Sequence, residues 1–513
     1  MAAPESDAAD GNLYSAIERV AQHRRNACCW QVLGDRPRSF SFAAVVDEAA
    51  RYAAALRELG ATRGARVVLQ VEKSPEALLV YLACLRLGAV FVPLNPAYTL
   101  RELDDFVADA EPQVIIAAPA RAAELQARDV PRGCALATLD TSGGGSLPQL
   151  ARDVTPEASV TPVGADAPAA IVYTSGTTGR PKGAVLTHRN LSVNARALVQ
   201  LWRFRTDDVL LHILPVYHVH GLFVATHCAL LAGCRTLLMP SFAVDAVIAA
   251  LPAATVLMGV PTHYVRLLGH PRFDRDLCAN IRVFISGSAP LLPATFAAVE
   301  RRTGRRILER YGMSEAGIIA SNPYDGARVP GTVGYALPQV ELRICDAAGV
   351  ELPCGAVGVL EIRGPNVSPG YWRRERNADE FRTDGWFVTG DLATIAEDGR
   401  LTLVGRAREL IITGGLNVYP KEIEYLLDGL PGVRESAVIG VPHPDFGEAV
   451  IAVVASDDPQ ALQEAALADA LRGRLAAFKV PKRFFCVAEL QRNAMGKVQK
   501  PILREQYRNC FGG

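Results

Sequence analysis

Strand-length apolar runs alternate with helical stretches over most of this chain, and that alternation limits the fold more than any other feature. Runs at residues 66–71, 89–94, 255–260, 283–285 and 307–311 are strand-sized, with helix-sized segments between several of them. Ser74 suits an N-cap, Pro75 a first turn and Gly88 a C-cap, which predicts a helix between the first two runs. A further helix opens at Pro261. Repeated strand–helix–strand units bury their apolar faces in a twisted, largely parallel sheet with helices on both sides, an α/β architecture. Ligands of such sheets gather beyond the carboxyl ends of the strands. From Thr332 the pattern shifts to short β-rich runs at 340–345, 358–363 and 401–404, divided by Gly, Pro and Asp turns. Beyond Gly405-Arg406 a fresh α+β unit of about a hundred residues begins, a domain-sized length.

At 513 residues the chain can hold several such units and a large core. Basic and acidic residues balance at 54 each, so no net field draws the protein to nucleic acid or an anionic membrane. The most apolar stretch, 77–94, carries Arg86 and contains Gly88 and Pro93, which fits a soluble helix and strand better than a membrane span. Residues 1–10 lack an apolar core and include Glu5, Asp7 and Asp10, unlike an export or transit signal. Eleven cysteines without CxxC spacing, several in apolar runs (Cys84, Cys228, Cys345), read as reduced buried thiols of a cytoplasmic protein. The Gly/Ser-rich run at 141–146 has no basic neighbours within it and reads as a surface loop.

One segment carries chemistry on its face. Tyr173-Thr174-Ser175-Gly176-Thr177-Thr178-Gly179-Arg180-Pro181-Lys182-Gly183 follows the apolar run Ala169-Ala170-Ile171-Val172. Its glycines let backbone N–H groups approach an anion, its hydroxyls donate, and Lys182 neutralises, so it is suited to a polyphosphate. It is not a Walker loop, because Lys182 follows a proline and precedes a glycine. An ordinary Gly/Ser/Thr loop after a strand has the same composition.

The segment resembles the phosphate loop of the acyl-adenylate-forming enzymes, the superfamily of acyl-CoA synthetases, luciferases and adenylation domains. Further motifs continue the resemblance in order: Leu214-Pro215-Val216-Tyr217-His218-Val219-His220-Gly221, Ser286-Gly287-Ser288-Ala289-Pro290-Leu291, Glu309-Arg310-Tyr311-Gly312-Met313-Ser314-Glu315, Thr389-Gly390-Asp391, Gly405-Arg406, Gly414-Gly415 and Gly496-Lys497. The resemblance implies a large N-terminal domain, 1–406, of layered βαβ subdomains plus a β-rich subdomain, and a small mobile α+β domain, 407–513, hinged near Arg408. It implies ATP, Mg²⁺ and coenzyme A. Thr174 to Gly179 and Lys182 would hold the β- and γ-phosphates, with Glu315 and Thr177 toward Mg²⁺. Ser288, Ala289, Pro290 and Tyr311 would frame the adenine, with Gly312, Met313 and Ser314 beside them, and Asp391 and Arg406 would face the ribose. Lys497 would supply the charge for adenylation, His218 would gate the acyl pocket, and Gly414 and Gly415 would line the path of the CoA thiol. Met495 stands where relatives usually have Ser before the Gly-Lys pair. A lysine acetyltransferase and deacetylase acting on Lys497 are partners this lysine suggests.

Other stretches resemble the malonyl-CoA synthetases: Val256-Leu257-Met258-Gly259-Val260-Pro261-Thr262, Ser321-Asn322-Pro323-Tyr324-Asp325-Gly326 and Gly364-Pro365-Asn366-Val367. By that resemblance Arg266 grips the second carboxylate of a small dicarboxylic acid, a task for which arginine's planar fork is suited, and Ser286 and Ile318 line the acyl pocket. Where the subfamily has a bulkier stretch, this chain has Gly317-Ile318, which implies extra room beside the α-carbon and makes methylmalonate an alternative to malonate. The expected activity is ATP-dependent activation of the acid to an acyl-adenylate, then transfer to CoA with release of AMP. Rival readings are a ligase for another aliphatic or aryl acid, a carrier-protein-loading enzyme, and an inactive ATP-binding scaffold.

Overall fold

The alternation builds two largely parallel sheets. The computed structural model describes residues 11–127, 133–174, 182–375, 380–414, 416–472, 474–493 and 497–511. In the first sheet the order is Ala135–Thr138, Val114–Ala117, Arg66–Gln70, Val90–Pro93, Pro168–Thr174 and Lys182–Thr187. Only the last strand is antiparallel to its neighbour. The second sheet runs parallel through Ile307–Met313, Val283–Ser286, Val256–Gly259, Val209–His212, Arg235–Leu238 and Cys28–Val32. Antiparallel strands close both of its edges.

Local chemistry explains the elements. The helix Pro75–Leu87 starts where the Ser74 side chain accepts from the Ala77 N–H at 3.1 Å, and it stops at Gly88, whose φ of +65° is left-handed. All thirteen residues of this helix are buried, Arg86 included, whose guanidinium pairs with Glu18 at 2.9 Å. Buried on all sides, a soluble helix reads as apolar throughout. No described helix is long and apolar enough to cross a membrane. The eleven cysteines are all free thiols.

The β-rich part is a four-stranded antiparallel meander, Glu341–Cys345, Gly358–Arg363, Phe387–Ile395 and Leu401–Arg406. Its longest strand is the one the sequence conceals, because Gly390-Asp391 has the composition of a turn; Gly390 holds φ +70° inside the strand. A five-stranded sheet with helices Pro420–Leu427, Glu464–Leu471 and Lys500–Gln506 forms the C-terminal unit. The apolar clusters part there: the buried members of the main cluster end at Leu401, and those of the C-terminal clusters begin at Ile411.

Candidate active site

The phosphate segment joins two antiparallel strands, with Thr174 directly opposite Lys182. The Thr174 hydroxyl donates to the Lys182 carbonyl at 3.4 Å. The described residues that flank the segment are thus two paired strands, and Lys182 opens the second of them. Ser175, Gly176, Thr177, Thr178 and Gly179 lie outside the described residues. Lys182 forms an ion pair with Glu380 and stands 5.3 Å from the centre of the Tyr371 ring. The Tyr371 hydroxyl donates in turn to Glu315 at 3.1 Å. Glu380 and Tyr371 carry no motif, and sequence reasoning missed both.

Glu315 occupies the turn between Ile307–Met313 and Gly317–Ser321, where it is buried. Burial raises its carboxyl above the usual range, against the Tyr371 hydrogen bond and Arg406. A hard carboxylate here, with Glu380 in electrostatic reach, fits Mg²⁺, which takes one or two protein carboxylates and completes its shell with phosphate oxygens and water. No described group of three or more His, Cys, Asp or Glu side chains offers an all-protein cage instead.

The strand Ile307–Met313 places alternate side chains on opposite faces. On one face the Tyr311 hydroxyl donates to Asp391, whose Oδ1 accepts from Arg406 Nε at 2.8 Å. Asp391 and Arg406 are cross-strand partners in the meander, so this chain of bonds ties the meander to the parallel sheet. Gly312 must be glycine, since a Cβ would lie 2.2 Å from the Gly317 carbonyl oxygen. Met313 and Ser314 are half-buried beside that turn. Ser288 holds φ +70° and leads through Ala289 and Pro290 to Leu291, whose N–H donates to Glu309 at 3.1 Å. Burial pushes the Glu309 carboxyl up to about 8.

The opposite face carries Arg310. Its guanidinium packs on Gly287, where a Cβ would come within 2.5 Å of it. It is buried, pairs with no acid among the described residues, and leaves Nε and Nη2 without acceptors. Burial pulls it down to about 9. Around it Ser286 Oγ and His220 Nε2 are also buried without partners. His220 Nδ1 lies 3.3 Å from Ser288 Oγ. Burial, then Lys497 and Arg310, pushes His218 down to about 3, so its ring is neutral. Arg266, on the helix Pro261–Leu268, is exposed and has no acidic partner among the described residues; it lies in electrostatic reach of His263. Ile318 is buried, its N–H and carbonyl both bonded to Asn194. Beside it Asn194, Val219, Phe223 and Gly317 border a cavity of about 10 Å³, room for one water.

Lys497 comes from the C-terminal unit into this cleft. The residue is exposed, yet its ammonium lies in electrostatic reach of Arg406, Asp391, Glu315 and Arg408. Burial and then Arg406 lower it below the ordinary lysine range, against the two acids. Gly414 is elsewhere, in an exposed hairpin where its N–H donates to the Phe446 carbonyl at 2.9 Å. Gly415, Met495 and Gly496 lie outside the described residues.

A family model described as AMP-binding enzyme matches residues 17–372, and one described as AMP-binding enzyme C-terminal domain matches 422–497. The chain belongs to the AMP-binding enzymes. The indoleacetate–CoA ligase of Aromatoleum aromaticum is 35% identical over 478 residues, 91% of this chain and 93% of that one. The malonate–CoA ligase ACSF3 of Bos taurus is 34% identical over 487 residues, 87% and 82% of the two chains. ATP-bound MatB of Rhodopseudomonas palustris is 48% identical and superposes with a TM-score of 0.95 over 98% of this chain and 100% of that one; apo MatB gives 0.84. The chain is thus an AMP-forming acyl-CoA ligase, with ATP, CoA and a carboxylic acid as substrates.

Proposed function

We propose that the acid is malonate, with room for a small α-substituent. The observation that carries this is Arg310, a buried guanidinium that among the described residues has two unmet donors and no acidic partner. An unpaired buried charge is costly, and a site that keeps one is complementary to an anion that arrives with the ligand. An acid with an aryl side chain brings no charge for it; a second carboxylate does. Arg310 accordingly holds the distal carboxylate, with Ser286 Oγ and His220 Nε2 as further unpaired polar atoms and Arg266 toward solvent. The MatB and malonate–CoA ligase likenesses support the same substrate, while the indoleacetate ligase of similar identity is the reason to test it.

The near carboxylate attacks the α-phosphate, forming the acyl–oxygen–phosphorus bond as pyrophosphate leaves. Two anions must meet, so positive charge and positioning carry the step. Lys497 contributes an ammonium between Asp391 and Glu315, Lys182 exchanges Glu380 for phosphate, and neutral His218 closes the acyl side without repelling the guanidinium. Glu315 would hold Mg²⁺, which when bound offsets phosphate charge. The CoA thiol then attacks the acyl carbon and AMP departs. We place the domain boundary at 406/407 and the hinge at Arg408, in the single 3₁₀ turn Ala407–Glu409 that joins the two sets of apolar clusters. The better superposition on the ATP-bound than on the apo relative supports an adenylation arrangement.

Release of AMP from a panel of malonate, methylmalonate, succinate, acetate, benzoate and indoleacetate tests the reading. Malonate or methylmalonate gives the highest kcat/KM; a preference for benzoate or indoleacetate removes the dicarboxylate assignment and leaves the ligase.

A further inference from the structure

Lys73 is a buried lysine that the chemistry above does not use. It follows the strand Arg66–Gln70, and no described acid pairs with it. Its ammonium instead lies 2.9 Å from His212 Nδ1 and 2.7 Å from the His212 carbonyl oxygen, across 139 residues of sequence. On the far side of the same ring, His212 Nε2 lies 3.0 Å from the Gly221 carbonyl oxygen. The Gly221 carbonyl can only accept, so the ring proton resides on Nε2, with Thr226 Oγ1 also 3.2 Å away, and Nδ1 is left to accept from Lys73, which carries protons in either charge state.

The Gly221 carbonyl is a junction. Beside His212 it accepts from the Thr226 hydroxyl at 2.9 Å and from the Thr226 backbone N–H, five residues on. That last bond defines a wide helical turn over His220–Ala225. Such turns are rare and are retained where a side chain must be re-aimed. Gly221 also cannot carry a side chain, because a Cβ would lie 2.0 Å from the Pro215 carbonyl oxygen. His218 and His220 thus stand on a short loop pinned at Pro215 against Gly221, with the Gly221 carbonyl held from below by His212.

We propose that Lys73 is a positioning residue for adenylation: it fixes His212 as the tautomer that donates from Nε2, and through Gly221 it sets where His218 and His220 meet the acid. Lys73 touches no reacting atom. The assignment is independent of which acid is used, since the ring tautomer is read without substrate.

Two measurements on Lys73→Met test this. Nitrogen-15 shifts of the His212 ring, assigned with a His212 variant, report the tautomer, and acid-dependent ATP–pyrophosphate exchange reports the rate. The wild type shows the Nε2–H form alone; Lys73→Met shows a mixture or the Nδ1–H form. Its exchange kcat falls by about 10²-fold, the scale of a small misplacement of a reacting group, with KM for ATP unchanged. An unchanged tautomer, or an unchanged rate in the folded variant, overturns the proposal. Should Lys73→Met fail to fold, His212→Gln and His212→Leu decide instead. Glutamine can accept from Lys73 and donate to Gly221, so it retains most of the rate, while leucine loses it; equal rates in the two refute the relay.

Discussion

In the proposed reading the two faces of the strand Ile307–Met313 serve opposite halves of the site, and they are finished differently. Toward the nucleotide side, Tyr311, Asp391 and Arg406 are joined in one chain of bonds, and nearby Lys182 already has Glu380. Toward the acyl side, Arg310, Ser286 and His220 are buried with donors unmet among the described residues. The paired groups are held in place before ATP arrives, and binding exchanges one partner for another. In that reading the unpaired groups store an electrostatic deficit that the second carboxylate of the acid relieves. Affinity for the acid is in this sense drawn from stability of the fold.

The sharpest way to break the comparison is to remove the cation that joins the two halves. Lys497→Ala is expected to lower adenylation by about 10² to 10³, the scale of losing one electrostatic stabiliser. Conversion of supplied acyl-adenylate to the thioester should survive, because the role proposed for Lys497 is confined to the first step. Acetylation of Lys497 would act in the same direction by removing its charge. Single-turnover measurement of each half-reaction checks this; equal loss of both would remove the division of labour between the two domains.

Arg310→Met addresses the unpaired half directly. Leaving the distal carboxylate buried without a partner costs about 3 to 5 kcal/mol, or roughly 10² to 5 × 10³ in kcat/KM for malonate. The same change removes a buried charge from the free protein, so Tm should rise. Arg266→Ala, at an exposed position, should cost less, roughly fivefold, at the upper edge of what an exposed pair contributes. Reversed ranking of the two arginines would return the anchor to Arg266, and a fall in Tm for Arg310→Met would show that its guanidinium is satisfied in the free protein.

Much of this was legible in the sequence and some was not, for reasons of range. The helix Pro75–Leu87 was readable because its signals are local: Ser74, Pro75 and Gly88 act within one turn. The motifs on Tyr173, Ser286 and Tyr311 do fall at or near strand ends, although the Tyr311 strand continues to Met313 as a hairpin. Arg310 was passed over because an arginine within Glu-Arg-Tyr-Gly has no local sign of burial. Only the surrounding elements, which bring Gly287, His218 and His220 to it, make it an unpaired charge. Glu380 and Lys73 were missed for the same reason, their partners being 198 and 139 residues away.

Glu309 sharpens the contrast through pH. It neighbours Arg310 in sequence but points to the opposite face, and burial raises its carboxyl to about 8 from its ordinary value of 4.5. The folded state therefore holds its proton over a range where the unfolded chain has released it. Stability from this group is fully present below the unfolded value and is lost as pH rises through about 8. Glu309→Gln does not titrate. The two proteins should have similar Tm near pH 4.5, and the wild type should fall progressively behind the variant toward pH 8. Parallel Tm curves across that window would mean that the carboxylate is ionised in the fold and that Lys421, the cation in electrostatic reach of it, balances it.

The smallest expected effect lies where the acyl half meets its α-substituent. Ile318 is packed against Asn194 through both backbone groups, so a change of side chain there should not move the strand. The neighbouring cavity of about 10 Å³, bordered by Val219, Phe223 and Gly317, is too small for a methyl group by itself. An α-methyl would need room from Ile318 as well. Methionine is longer and unbranched, and in Ile318→Met its thioether should reach toward that space and compete with the α-methyl of the substrate. One methylene in a pocket of this kind is worth about 1 to 3 kcal/mol at most, and methionine's flexibility takes back part of it. The ratio of kcat/KM for malonate over methylmalonate should therefore rise by about three- to tenfold, with malonate itself little changed. The comparison of ratios within each protein cancels any general loss from repacking. A ratio that stays constant would place the α-carbon away from Ile318, and one that falls would mean that the longer side chain turns away and widens the pocket.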